Sequence, residues 1–275
     1  ALVTPMKENG DLDFESLENL INFQIESGVS GIVAVGTTGE SATIDFKDHM
    51  RLIEAFVKIS NKRIPIIAGT GANSTEEAIT LTKSAESSGA DAALLVSPYY
   101  NKPPQEGIYE HHIKIADEVN LPQILYNVPS RTASFIESET VSRLAKHQNI
   151  IGIKDATGDM ENLENLKTLC KEEIKTNNFS LFSGDDFSSL EFIAKGGDGT
   201  ISVSSNIVPK IVSDICELVK KDYDAAKNLD DSLKELNKNL FIESNPIPVK
   251  WALLKMGMIK SGIRLPLVEL NDKFK

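Results

Sequence analysis

The 275 residues are 41% hydrophobic and 25% charged, an ordinary globular balance and enough chain for one large domain or two small ones. A net charge of −11 with scattered basic residues argues against a nucleic-acid backbone or an anionic membrane surface as partner. No apolar run reaches the ~20 residues that span a bilayer and no signal peptide is visible, while Cys170 and Cys216 lie far apart in helix-like segments, as expected of free thiols in a reducing cytoplasm.

In chain order, β-prone apolar runs alternate with amphipathic helices. A-L-V-T-P (1–5) predicts a first strand, and Phe14, Leu17, Leu20 and Ile21 form the apolar stripe of the helix after it. G-I-V-A-V-G (31–36) predicts a second strand, followed by a helix carrying Leu52, Ile53 and Phe56. I-P-I-I-A-G (64–69) predicts a third, and its helix opens at Ser74, an N-cap followed by Glu76 and Glu77 at the positive end of the dipole. A-A-L-L-V-S-P (92–98), Q-I-L-Y-N-V-P (123–129), I-I-G-I-K (150–154), S-L-F-S-G (180–184) and G-T-I-S-V-S (199–204) bring the strands to eight. Residues 207–260 read as three further helices. The histidines are His49, His111, His112 and His147; adjacent His111 and His112 point about 100° apart on a helix, so they cannot both face one metal, and no metal site is expected.

Alternating strands and helices predict parallel pairing through crossover helices, and eight strands close a (β/α)8 TIM barrel; an open doubly wound sheet is the competing arrangement. The expected division is a barrel over 1–206 with a C-terminal helical appendage over 207–275.

In such a barrel the chemistry sits at the C-terminal ends of the strands. The polar residues there are Thr4, G-T-T-G-E (36–40), G-T-G-A-N (69–73), P-Y-Y-N (98–101), Tyr126, P-S-R-T (129–132), Lys154, S-G-D-D (183–186) and Ser202. Lys154 has two readings. It is a strand-end lysine that snorkels to solvent, or an amine held near apolar residues as a nucleophile. Its placement among tyrosines and threonines suits imine chemistry on a carbonyl substrate, with phenols and hydroxyls relaying protons. Asp155, next along the strand, is expected on the opposite face in a structural role. G-T-G-A-N-S (69–74) copies part of a dinucleotide fingerprint but has Ser74 at its third glycine position. G-T-T-G-E-S lacks the Lys-Ser/Thr of a Walker loop, and its turn suits a small carboxylate held by N–H groups, Thr37 and Thr38.

G-T-T-G-E-S-A-T (36–43), I-P-I-I-A-G-T-G-A-N (64–73), S-P-Y-Y-N-K-P (97–103), I-L-Y-N-V-P-S-R-T (124–132), I-I-G-I-K-D-A-T-G (150–158), S-G-D-D (183–186) and N-P-I-P-V-K (245–250) together resemble the dihydrodipicolinate synthase family, in register and nearly end to end. The resemblance implies a homotetrameric class I aldolase-type barrel, a dimer of dimers. It condenses pyruvate with L-aspartate 4-semialdehyde on the way to diaminopimelate and lysine, with no cofactor beyond a covalent pyruvate Schiff base on Lys154. Carried over by motif, Tyr126 is the acid/base beside Lys154, and Thr37 links it to Tyr100, which reaches in from a neighbouring subunit. Thr38 holds the pyruvate carboxylate, Arg131 the semialdehyde carboxylate, and the carbonyls of Gly184 and Ile201 complete the pocket. Inhibition by L-lysine is implied through Ser41, Ala42, His49, Asn73, Glu77 and Tyr99, with Phe46 standing where a histidine is familiar and altering its strength. N-acetylneuraminate lyase shares the lysine, tyrosine and glycine loop but typically lacks the arginine of S-R-T; it is the alternative, with a non-catalytic small-acid sensor behind it. The family extends past both ends of this sequence, into strand one and a last helix.

Overall fold

The computed structural model describes all residues from Ala1 to Lys275. Seven strands follow one another through one sheet in chain order: β1 (Ile32–Ala34), β2 (Ile66–Gly69), β3 (Ala92–Val96), β4 (Gln123–Asn127), β5 (Ile150–Asp155), β6 (Ser180–Ser183) and β7 (Gly199–Thr200). The helices are α1 (Phe14–Glu26), α2 (Phe46–Ser60), α3 (Thr75–Ser88), α4 (Gln105–Glu118), α5 (Pro129–Thr132), α6 (Ser138–Leu144), α7 (Met160–Leu169), α8 (Lys171–Lys175), α9 (Ser189–Ala194), α10 (Pro209–Leu218), α11 (Tyr223–Leu240) and α12 (Ile247–Lys255). The last three are the helices expected over 207–260. No helix is long and apolar enough to cross a membrane, and neither cysteine forms a disulfide. The chain falls into two compact units, residues 1–67 with 202–275, and residues 68–201.

In the first unit the predicted stripes are buried: Leu17, Leu20 and Ile21 on α1, Leu52, Ile53 and Phe56 on α2. Asp13 and Asp45 cap these helices by accepting from the backbone N–H of Ser16 and Asp48, satisfying donors the helix itself leaves open. The run 1–5, expected as a strand, is not one. Leu2 N–H donates to the Val33 carbonyl at 3.0 Å, as a strand would. The next contacts, however, are made by a side chain. Asn206 Oδ1 accepts from Val3 N–H at 3.0 Å, and Asn206 Nδ2 donates to the Ala1 carbonyl at 2.8 Å. One carboxamide thus stands in for a neighbouring peptide group, and no regular ladder forms. Strand β1 is shorter than its apolar run because Val35 takes a left-handed φ of 52°, uncommon for a β-branched residue, and turns the chain into the Gly36–Glu40 loop.

In the second unit β3 to β7 pair in parallel. Cross-strand rows divide the two faces of the sheet. Leu125, Ile153 and Leu181 are in register and buried, packed in one apolar cluster with Ile108 of α4, Val141 of α6, Leu163 and Leu166 of α7 and Phe192 of α9. The next row, Tyr126, Lys154 and Phe182, therefore points to the opposite face. Gly152 is required at β5 because a Cβ there would lie 2.6 Å from the Ser180 carbonyl oxygen. Helix α3 opens as predicted, with Ser74 accepting from Glu77 N–H.

His111 and His112 on α4 are both buried, with rings edge to face and centroids 4.9 Å apart. Thr75 Oγ1 lies 2.9 Å from His111 Nδ1. Burial lowers His111 from 6.5 to about 4, and burial together with His111 holds His112 well below 6.5. In the unfolded chain these rings charge near pH 6.5, whereas the folded chain resists. Stability is thus fully present above 6.5 and lost as pH falls toward 4, by about 3 kcal/mol for His111. The expected result is a melting temperature that drops across this window, with a shallower drop in His111→Gln; equal slopes in the two proteins would contradict it.

Candidate active site

Within the second unit, Lys154 and Tyr126 are cross-strand partners near the C-terminal ends of β5 and β4. Lys154 Nζ stands 4.3 Å from the centre of the phenol ring, and the two residues are 5% and 6% exposed. The snorkelling reading therefore fails: Lys154 is buried where its strand ends. Behind it, a Cβ on Gly184 would meet Lys154 Cε at 2.7 Å and Ala156 Cβ at 2.8 Å, so the glycine makes room for the lysine stem. Gly184 N–H donates to the Asp155 carbonyl at 2.7 Å, and Ile201 N–H to the Ser183 carbonyl at 2.8 Å, which sets the turns after β6 and β7.

Tyr100 is 90% exposed and has a left-handed φ of 73°. Its N–H donates to the Thr132 carbonyl at 3.4 Å, tying it to the P-S-R-T turn. Arg131 is exposed on the one-turn helix α5. That turn is stiffened from beneath by Thr132 Oγ1 donating to the Ser134 carbonyl and by the Ser97–Ser134 hydroxyl pair at 3.0 Å. Left-handed backbone in non-glycine residues recurs after β3 and β4, at Tyr100, Lys102 and Ala133, a form of local strain that accumulates at functional loops. Asn73, Glu77 and Tyr99 are brought together: burial and the Glu77 charge push the Tyr99 hydroxyl up, against the lowering effect of the Asn73 backbone.

Within the first unit, Thr38 is buried and Thr37 half-buried. Thr38 Oγ1 accepts from Asn245 Nδ2 at 2.9 Å. Glu40, left-handed at φ 61°, donates its N–H to the Thr37 carbonyl at 3.1 Å. Its buried carboxylate pairs with Lys250 Nζ and accepts from Arg264 N–H at 3.2 Å. Lys250 also donates to the Thr4 carbonyl at 3.1 Å, and Thr4 Oγ1 to the Gly39 carbonyl at 2.7 Å. Burial pulls the Lys250 amine down, opposed by Glu40. Ser41 and Ala42 lie on a 3-10 turn after this loop, His49 is buried on α2, and Phe46 is exposed at the start of α2. Sequence reasoning did not assign roles to Asn245 or Lys250. The available signal was a lysine within the apolar stretch Ile247–Trp251, the same anomaly that marks Lys154.

The dihydrodipicolinate synthetase family model matches residues 1–275. The 4-hydroxy-tetrahydrodipicolinate synthase of Alcanivorax borkumensis is 52% identical over 273 residues, covering 99% of this chain and 91% of its own length. Among solved structures, the chloride-inhibited dihydrodipicolinate synthase of Acinetobacter baumannii complexed with pyruvate superposes with a TM-score of 0.96 at 51% identity, over 100% of this chain and 93% of its own. The Cyanidioschyzon merolae enzyme with lysine bound gives 0.94 at 36% identity, over 100% and 92%. A match that runs the full length, at 52% identity to a curated synthase, places the chain in the dihydrodipicolinate synthetase family.

Proposed function

We propose that this chain condenses pyruvate with L-aspartate 4-semialdehyde to give 4-hydroxy-tetrahydrodipicolinate, and that Lys154 carries pyruvate as a Schiff base. The observation that carries the reading is the buried Lys154 amine 4.3 Å from the Tyr126 ring. The amine attacks the pyruvate keto carbon, and loss of water leaves an imine. A methyl proton then departs, and the resulting enamine carbon attacks the semialdehyde aldehyde. The semialdehyde amine displaces Lys154 from the imine carbon, closing the ring and freeing the lysine. Each step moves a proton, and Tyr126, Thr37 and Tyr100 form the relay that moves it. Thr38 binds the pyruvate carboxylate, Arg131 takes the semialdehyde carboxylate through its planar fork, and the carbonyls of Gly184 and Ile201 line the pocket. The reaction needs no cofactor beyond the lysine amine.

The same proposal includes a closed eight-stranded barrel over 1–206, in which residues 1–5 occupy the place of the first strand without forming a regular ladder, and a helical region over 207–275. It includes a cytoplasmic homotetramer in which Tyr100 serves a neighbouring subunit; exposure of that tyrosine on a preset backbone supports this. L-lysine inhibits by binding at Ser41, Ala42, His49, Asn73, Glu77 and Tyr99, and Phe46 packs on its side chain.

One experiment tests the chemistry. Borohydride reduction with pyruvate present is expected to leave a pyruvyl adduct on Lys154, and semialdehyde condensation, not sialic-acid cleavage, is expected in assay. No adduct, or an adduct on another lysine, would overturn the reading. A rate indifferent to saturating L-lysine would remove the inhibitor from it.

A further inference from the structure

One residue beyond the Tyr126–Lys154 row, Asn127 and Asp155 are also in register and point to the other face of the sheet. Asp155 is buried and its three side-chain partners are neutral. Oδ1 accepts from Asn127 Nδ2 at 3.1 Å; Oδ2 accepts from Thr157 Oγ1 at 2.6 Å and Asn162 Nδ2 at 3.1 Å. Asn127 Oδ1 accepts from Ile136 N–H at 3.0 Å, and Asn162 Oδ1 from Ser138 Oγ at 2.9 Å. The network joins the ends of β4 and β5 to the start of α7, to α6 and to the segment following Arg131. The main chain adds two further ties: Ala156 N–H donates to the Asn127 carbonyl at 2.9 Å, and Gly184 N–H to the Asp155 carbonyl.

We propose that Asn127 and Asp155 are positioning residues that hold Tyr126 against Lys154, an inference that rests on the function proposed above. Both strands end here, so beyond the Ala156 N–H bond to the Asn127 carbonyl no ladder bond fixes their relative twist, and the side-chain bridge shares that task. A buried carboxylate without a cation is a poor way to gain stability, and an apolar pair would fill the same space at lower cost. Three side-chain donors and the Thr157 backbone N–H converging on one carboxylate instead fix an orientation. Because Lys154 and Tyr126 are the preceding residues on the same two strands, a twist at the bridge moves the amine relative to the phenol. A misplacement near 1 Å lowers rates by about a hundredfold.

The hydrogen-bond pattern allows a rescue test. In Asn127→Asp two carboxylates face each other, and in Asp155→Asn the amide cannot accept from Asn127 and Asn162 at once without rearranging the network. Exchanging the pair restores every bond: residue 127 as Asp accepts from Ile136 N–H and from the amide of residue 155, whose carbonyl oxygen keeps Thr157 and Asn162. The expected result is a kcat about a hundredfold lower in Asn127→Asp and about tenfold lower in Asp155→Asn, with a smaller change in pyruvate KM. The exchanged double variant should return to within about threefold of the wild type. Single variants with unchanged kcat would overturn the proposal, as would singles that lose only melting temperature, or a folded double variant no faster than the slower single. Should a single variant fail to fold, the double variant alone decides by the same criterion. A wild type that neither traps pyruvate nor turns over refutes the function itself; a wild type that does both, with a failed exchange, refutes only the bridge.

Discussion

Lys250→Met is expected to lower stability by about 3–5 kcal/mol, the usual cost of removing one partner from a buried ion pair. Glu40 and Lys250 are both buried, and methionine keeps the bulk of the lysine while removing its charge. The Glu40 carboxylate would retain only the Arg264 N–H. The Thr4 carbonyl would lose its Lys250 donor. For a chain of this size the melting temperature should fall by roughly 5 to 9 °C. Activity should fall as well, because Glu40 anchors the loop that carries Thr37 and Thr38. The double variant Glu40→Gln, Lys250→Met removes both charges and should recover a large part of the loss. Thermal melts of the three variants check this: a single variant that melts with the wild type, or a double no better than the single, contradicts it.

Gly184→Ala should act on catalysis through one methyl group. The added carbon would lie 2.7 Å from Lys154 Cε and 3.1 Å from Lys154 Cγ, with Ala156 Cβ at 2.8 Å closing the other side. Something must move, and the free end is the lysine. Overpacking of this kind costs about 1–3 kcal/mol of stability, while displacing the amine proposed as nucleophile costs about a hundredfold in kcat. Gly199→Ala is the control, since its added carbon meets nothing nearer than Phe182 at 3.8 Å. Steady-state kinetics with both variants would show the contrast; a Gly184→Ala enzyme as fast as the Gly199→Ala control would show that the lysine stem has room to spare.

Lys154 was legible because a cation inside an apolar run is an anomaly that burial resolves in only a few ways. Tyr126 was picked out by its place at a strand end, and strand periodicity put Asp155 on the face away from Lys154, as it is found. The first strand misled because apolar β-prone residues specify an extended chain without specifying its partner. Here Asn206, some 200 residues away, supplies part of the pairing with a side chain. Strand β1 was overextended because periodicity does not register a left-handed valine. Asn245 and Lys250 were missed for the same reason as Asn206: their partners Thr38 and Glu40 are more than 200 positions distant. Local patterning reports what a residue is beside in the chain, whereas these residues matter for what folding brings to them.

The alternating rows of the sheet have a consequence for how such a site can change over time. Leu125, Ile153 and Leu181 secure the helices, while Tyr126, Lys154 and Phe182 face the other way. The proposed chemistry and the anchorage are thus separated by a single position. Point replacement can revise either set alone, but adding or deleting one residue inside β5 would exchange them together, sending the amine into the apolar cluster and a core isoleucine into the pocket. Lineages built on this arrangement are free to vary their loops in length, but their strands only in letters.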